Sequence, residues 1–115
     1  MPKAYVLLQF NIDDPEIFDR YRKGAAPTIL SNGGKVLVAA SKTDVREGAL
    51  AANLVTILEF PSHEAAERWY ASPEYEAVHP LRLDATSAGS LVFLNGFEIP
   101  AGPGPGPGPG PGPGR

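Results

Sequence analysis

Apolar residues fall into four short runs of strand length, and between them they recur at helical spacing. The first run, Ala4 to Phe10 (AYVLLQF), places Val6, Leu8 and Phe10 on one face and Tyr5 and Leu7 on the other, which Gln9 breaks. Apolar groups on both faces predict a strand covered on both sides. Asp14-Pro15-Glu16 predicts a helix start: the aspartate caps free N–H groups, and proline has no N–H to lose at the first position. Ile17, Phe18, Tyr21, Ala25 and Ile29 then share one helical face. Pro27 lies inside this pattern and predicts a kink or a split, because its ring removes a ladder bond and clashes with the preceding turn. Gly33-Gly34 closes the helix, with Gly33 suited to the left-handed position just past the cap.

Lys35 to Ala40 (KVLVAA) and Leu54 to Phe60 (LVTILEF) predict the second and third strands, joined by a connection over Ser41 to Asn53. Pro61 stops the third strand, since it offers no N–H to a ladder. Ser62 stands where an N-cap belongs, and Ala65, Ala66, Trp69 and Tyr70 form one apolar stripe behind it. Ser72-Pro73 predicts a second start, for a helical piece carrying Tyr75, His79 and Arg82. His79 precedes Pro80 and is expected at a helix end. Ser90 to Phe97 (SLVFLNGF) predicts the fourth strand, with Gly96 a bulge or a point of close approach. The order is βαββαβ, so the expected fold class is α+β, ferredoxin-like, with an antiparallel four-stranded sheet.

Two helices cover one face of such a sheet. The other face retains apolar groups on every strand whichever way each is turned; on the second strand these are Leu37, or Val36 and Val38. An exposed face of that kind exceeds the few hundred Å² a monomer tolerates. At ~25 cal/mol per Å², hiding ~700 Å² per subunit contributes on the order of 15 kcal/mol before association costs. A homodimer formed through the sheet face is the expected answer.

Composition narrows the picture further. The chain has 115 residues, no cysteine, a net charge of −3 and a pI near 5.3. One domain over residues 1–100 is expected, with thiol chemistry and disulfides excluded. The mild acidity argues against nucleic acid or a membrane surface as partner, and no apolar run reaches the ~18 residues of a membrane span. A cytoplasmic protein is expected. Residues 101–115 form a separate low-complexity tail, strictly alternating Gly and Pro from Gly102 to Gly114 before Arg115. Its period of two differs from collagen's three, and with no apolar side chain to bury it is expected to be extended and solvated.

Several residues are candidates for chemistry. Trp69, Tyr70 and Tyr75 suit either a pocket wall that stacks a flat ligand or a packed core. Arg82 suits a fork on a carboxylate or enolate, or an ion pair with Glu74, Glu76 or Asp84. Tyr21 is either a donor to a ligand oxygen or a core tyrosine. His63 and His79 are the natural general bases, weighed against surface or capping roles. Glu59, a carboxylate in an apolar strand, becomes a base if burial raises its pKa, or reaches water at the strand end. His63 and Glu67 share the four-residue spacing of metal ligands, which alone is weak evidence; no metal or other cofactor is expected. The sequence contains no Ser-His-Asp order, phosphate loop or dinucleotide fingerprint.

Tyr21 with Gly33-Gly34-Lys35, Glu47-Gly48, Glu59-Phe60-Pro61-Ser62, Ala66 with Trp69-Tyr70, Ser72-Pro73-Glu74-Tyr75 and Leu81-Arg82 together resemble the DUF1330 family, over roughly residues 4 to 99. The resemblance implies a dimeric α/β barrel built from two ferredoxin-like subunits, and a recurrent arginine at Arg82. That family has no settled activity; more distant relatives include antibiotic-biosynthesis monooxygenases, muconolactone isomerases and haem-handling proteins. The loop Ala49-Leu50-Ala51-Ala52 departs from relatives that often carry an aromatic and a basic residue there. The expected function is a homodimer binding a small aromatic or carboxylated molecule, with cofactor-independent enzyme activity (monooxygenase- or isomerase-like) as its extension. A non-catalytic structural or interaction dimer is the alternative.

Overall fold

The computed structural model of the protein describes residues 2–97. The Gly-Pro tail lies outside them. In chain order the elements are β1 (Ala4–Ile12), α1 (Pro15–Ser31), β2 (Lys35–Ala40), β3 (Leu54–Phe60), α2 (His63–Ala71), α3 (Pro73–Ala85) and β4 (Thr86–Asn95). All strand pairs are antiparallel, in the spatial order β2-β3-β1-β4, which makes the fold α+β and ferredoxin-like. No helix among the described residues is long and apolar enough to cross a membrane.

The helix ends follow local chemistry. Asp14 accepts from the N–H groups of Glu16 and Ile17, and Pro15 opens α1. At its other end Gly33 N–H bonds Leu30 and Gly34 N–H bonds Ile29, a Schellman closure that requires the positive φ of 83° found at Gly33. Pro27 does not split α1, contrary to expectation. It lies on the exposed side of the helix, as does Lys23, whose carbonyl loses its ladder partner to the proline ring. Ser72 ends α2 and caps α3, accepting from Tyr75 N–H. Helix α3 runs through Pro80 to Ala85, so His79 sits mid-helix rather than at an end.

The core lies between sheet and helices. Ala4, Val6, Leu8 and Phe10 of β1, Leu54, Leu58 and Phe60 of β3, and Trp69 of α2 are buried there. Tyr70, expected on the same stripe, instead turns outward and is 37% exposed. On the opposite sheet face Leu37, Val38, Val92 and Leu94 are exposed.

Two bulges depart from the alternation read in the sequence. On β2 an extra residue, Leu37, separates Val36 (opposite Leu58) from Val38 (opposite Ile57). Val36 and Val38 therefore point to opposite faces, and Ala39 joins Val36 on the helix side. On β4, which begins at Thr86 rather than Ser90 and ends at Asn95 rather than Phe97, Ala88 and Gly89 together oppose Phe10. Gly89 is required because a Cβ there would lie 2.2 Å from the Phe10 Cβ. Gly96 marks no bulge; it follows β4 as a close approach, its N–H bonding Lys3 O at 2.7 Å.

Ala88 holds a left-handed φ of 51° that costs an L-residue free energy. Ala88→Gly is expected to raise the unfolding free energy in urea by about 0.5–1 kcal/mol, strain relief exceeding the added unfolded-state entropy. A loss of stability would place Ala88 outside the left-handed region.

Candidate functional site

The sequence-derived candidates divide into a buried polar chain, a solid aromatic core and a surface group. The polar chain begins at Tyr21 on the inner face of α1, whose hydroxyl lies 2.8 Å from that of Tyr75 on α3. Arg82, two helical turns after Tyr75, points its Nε at the same Tyr75 hydroxyl at 3.4 Å and donates from Nη2 to His79 Nε2 at 2.8 Å. Its guanidinium lies 5.5 Å from the Phe10 ring centroid. The ion pair with Glu74, Glu76 or Asp84 is not formed: no carboxylate among the described residues lies within salt-bridge distance of Arg82, although the residue is only 7% exposed. The cost of burying this cation is offset by the Phe10 ring, the phenol and the imidazole.

These contacts fix protonation states. A guanidinium only donates, so His79 Nε2 accepts, and the neutral imidazole keeps its proton on Nδ1. Burial, then the Arg82 charge, lowers the His79 pKa, against an opposing pull from Glu76. Burial and the neighbouring Tyr75 hydroxyl raise the Tyr21 phenol far above its ordinary value, outweighing Arg82. The chain therefore offers donors near neutral pH and no free base.

Trp69 is fully buried and is a plug of the core rather than a pocket wall. Its ring lies 4.3 Å from that of Tyr75 and 5.4 Å from that of Phe60, and its N–H donates to Thr28 Oγ1 at 3.0 Å. Tyr70 packs over Trp69, Tyr75, His79 and Phe93 from the solvent side. His63 lies at the surface: Nδ1 faces the Asn95 side-chain oxygen at 3.2 Å and Nε2 faces Glu67 at 3.3 Å. No cluster of three or more metal-ligating side chains occurs among the described residues, so His63 and Glu67 stand as a pair. Glu59 is on the open sheet face, where burial pushes its pKa up but the Tyr5 hydroxyl, Lys35 and Lys3 together pull it down further. It is held ionised and is not a base with a raised pKa.

A cleft of about 100 Å³ opens between α1 and the β2–β3 side of the sheet, on the helix-covered face. Leu8, Phe18, Ile29, Leu54 and Leu58 make its apolar body. Three alanines, Ala25 and Ala26 of α1 and Ala39 of β2, leave the space. The Leu37 bulge is what brings the small Ala39 to this side. Tyr21, Thr56 and Arg22 are the lining residues whose side chains carry polar atoms. Of the sequence-derived ligand-binding candidates, Tyr21 alone lines the cleft; Trp69, Tyr70, Tyr75 and Arg82 do not. Phe10 connects the two regions, lining the cleft and carrying the Arg82 guanidinium. Arg22, Thr56 and Ala39 were missed from sequence. The one available signal was the Ala25-Ala26 pair at the inward edge of an otherwise bulky helical face.

Residues 3–97 match the model of a family described as a domain of unknown function, DUF1330. No protein with a curated description matches the chain. Among solved structures, a protein of unknown function from Rhodopseudomonas palustris is similar at a TM-score of 0.73 and 19% identity, over 85% of each chain. A cofactor-independent oxygenase from Streptomyces nogalater is similar at a TM-score of 0.61 and 14% identity, over 89% of this chain and 100% of that one. A dimeric ferredoxin-like protein of unknown function from Thermobifida fusca is similar at 0.56 and 9%, over 82% and 91% respectively. At these identities the likeness shows a shared fold.

The His79 contact carries a pH dependence. Its folded pKa lies below the unfolded value of about 6.5, so its contribution is complete above that pH and is lost as pH falls toward the folded value. The unfolding free energy is expected to decline between pH 7 and 5, and His79→Gln, which keeps an acceptor for Arg82, is expected to flatten that decline. An unchanged slope in the variant would show His79 to be solvated in the folded state.

Proposed function

We propose that this chain, which belongs to the DUF1330 family, works as a homodimer that binds a small, largely apolar molecule in the cleft between α1 and the β2–β3 side of the sheet. The observation that carries the reading is the cleft itself: a largely apolar space bordered by three alanines and beside the packed aromatic core. It is smaller than the roughly 300 Å³ at which ligand pockets usually begin, so it suits one ring or a short branched chain, with the rest of a larger ligand left at the mouth. Tyr21 gives the wall a phenol whose proton is retained, and that phenol is joined through Tyr75 to the buried Arg82 charge. Such a group orients a ligand oxygen by donating to it.

The dimer reading rests on the open sheet face, where Leu37, Val38, Val92 and Leu94 lie in one exposed apolar layer. Pairing two sheets through that face leaves the cleft, on the other side, free to fill.

A second reading, catalysis without a cofactor, draws on the fold shared with a cofactor-independent oxygenase. The protonation states weigh against proton abstraction: Tyr21 keeps its proton, Nε2 of His79 is engaged by Arg82, and Glu59 is paired. Binding is the better-supported function.

Toluene, benzyl alcohol and benzoate are expected to raise the thermal midpoint of the protein, and Ala39→Phe, which fills the cleft from an exposed strand position, is expected to abolish the shift. Equal shifts in both proteins would move the ligand elsewhere, and no shift from any probe would favour a structural dimer. Sedimentation at low micromolar concentration is expected to show a dimer; a folded monomer there would contradict the sheet-face pairing. Mass gain or oxygen uptake with any bound probe would restore the catalytic reading.

A further inference from the structure

We infer that the cleft takes a monocarboxylate, with Arg22 at its rim as the anion anchor; this rests on the cleft being the ligand site. Among the charged side chains of the described residues, Arg22 alone lines the cleft. Its guanidinium lies 5.5 Å from the Phe18 ring centroid, and Phe18 is itself part of the cleft wall. The ring keeps the guanidinium beside the apolar surface, at cation–π distance, with N–H groups available to bond outward. The side chain is 62% exposed, so the charge costs little while the site is empty.

The neighbouring acid leaves Arg22 available. Asp19 lies 3.7 Å from Arg22 Nη2, beyond hydrogen-bond distance, while Lys23 reaches the other Asp19 oxygen at 3.1 Å. Lys23 thus satisfies Asp19, and a bound carboxylate meets a guanidinium that is not already forked. Asp19 also sets the charge of the guest. With Lys23 and Arg22 both beside Asp19, the rim carries one net positive charge, which a single negative charge on the guest matches and a dianion such as a phosphate monoester exceeds. The cleft's small volume and apolar wall limit the rest of the guest to one ring or a short branched chain. Thr56 adds a hydroxyl that can serve a second polar group on that body.

Arg82, the arginine that the sequence points to, does not line the cleft: its Nε and Nη2 are engaged by Tyr75 and His79, and it is buried on the far side of Phe10. Its role is to hold Tyr75 and, through it, Tyr21.

Isothermal titration with benzoate and its neutral isostere benzamide separates the anchor from the cleft. Wild type is expected to bind benzoate about fivefold more tightly than benzamide, the size of a well-placed exposed ion pair, with the gap closing in 1 M salt. Arg22→Gln is expected to lose that preference while still binding benzamide, and Arg22→Lys to keep only part of it. Both variants lie at an exposed position, and unchanged melting curves in the absence of probe confirm their folding. Benzoate and benzamide binding wild type equally, or a preference that persists in Arg22→Gln, overturns the anchor and leaves the cleft as the ligand site. Failure of every probe to bind overturns both.

Discussion

A buried hydrogen bond ties two helices of the layer over the sheet together: the Trp69 N–H of α2 donates to Thr28 Oγ1 of α1 across 41 residues of chain. An indole can be fully buried only when its N–H finds a partner, and a partner from the other helix fixes the lateral position of α1 over the sheet. Thr28 in turn donates to Ala25 O at 2.6 Å, tying the contact into the turn of α1 that lines the cleft. With the indole seated, Tyr75 packs against it at a tilt and brings its hydroxyl to Tyr21. The packing under α2 and α3 is thereby filled. The space left over lies at the other edge of α1, where alanines face β2.

The same arrangement explains the division of labour between the two arginines. Arg82 is buried with neutral partners, and its charge is spread over a phenol, an imidazole and an aromatic face. Removing it would strand polar groups in the core. Arg22 sits on a solvated rim against Phe18, with only a long 3.7 Å ion pair to Asp19. Each bulge contributes to this outcome. The extra residue at Leu37 turns Ala39 toward α1 and makes room, and the Ala88-Gly89 bulge lets β4 pass close to Phe10, on whose ring Arg82 rests. Bulges re-aim side chains beside functional regions at a modest cost in strain.

Much of this architecture was legible in the residues because its causes are local. Asp14-Pro15, Ser62, Ser72-Pro73 and Gly33-Gly34 each satisfy their own helix ends, so the boundaries they mark do not depend on the rest of the chain. The β2 and β3 limits follow from their apolar runs. Where the cause is tertiary, the pattern misleads. Thr86 to Gly89 carries no strand-like alternation, yet it pairs with β1 because that edge is open. Pro80 reads as a helix end, yet α3 is held through it by Arg82 and Tyr75 on one face. Tyr70 shares the spacing of Trp69 but faces outward, because Ala65, Ala66 and Trp69 already fill the buried side. The cleft is a volume left by three small residues from two elements, and the bulge that assembles them has no sequence signature. Arg22 reads as one more solvent-facing charge for the same reason.

On the helix-covered face a guest is expected to enter at the α1 edge beside β2 and β3, and not in the aromatic core around Trp69. Methyl NMR of the protein titrated with toluene tests it directly. Shifts are expected at Leu8, Ile29, Val36, Leu54 and Leu58, which line the cleft, and none at Val92 or Leu94 on the open sheet face. Shifts confined to Val92 and Leu94, with the cleft methyls unmoved, would contradict the account.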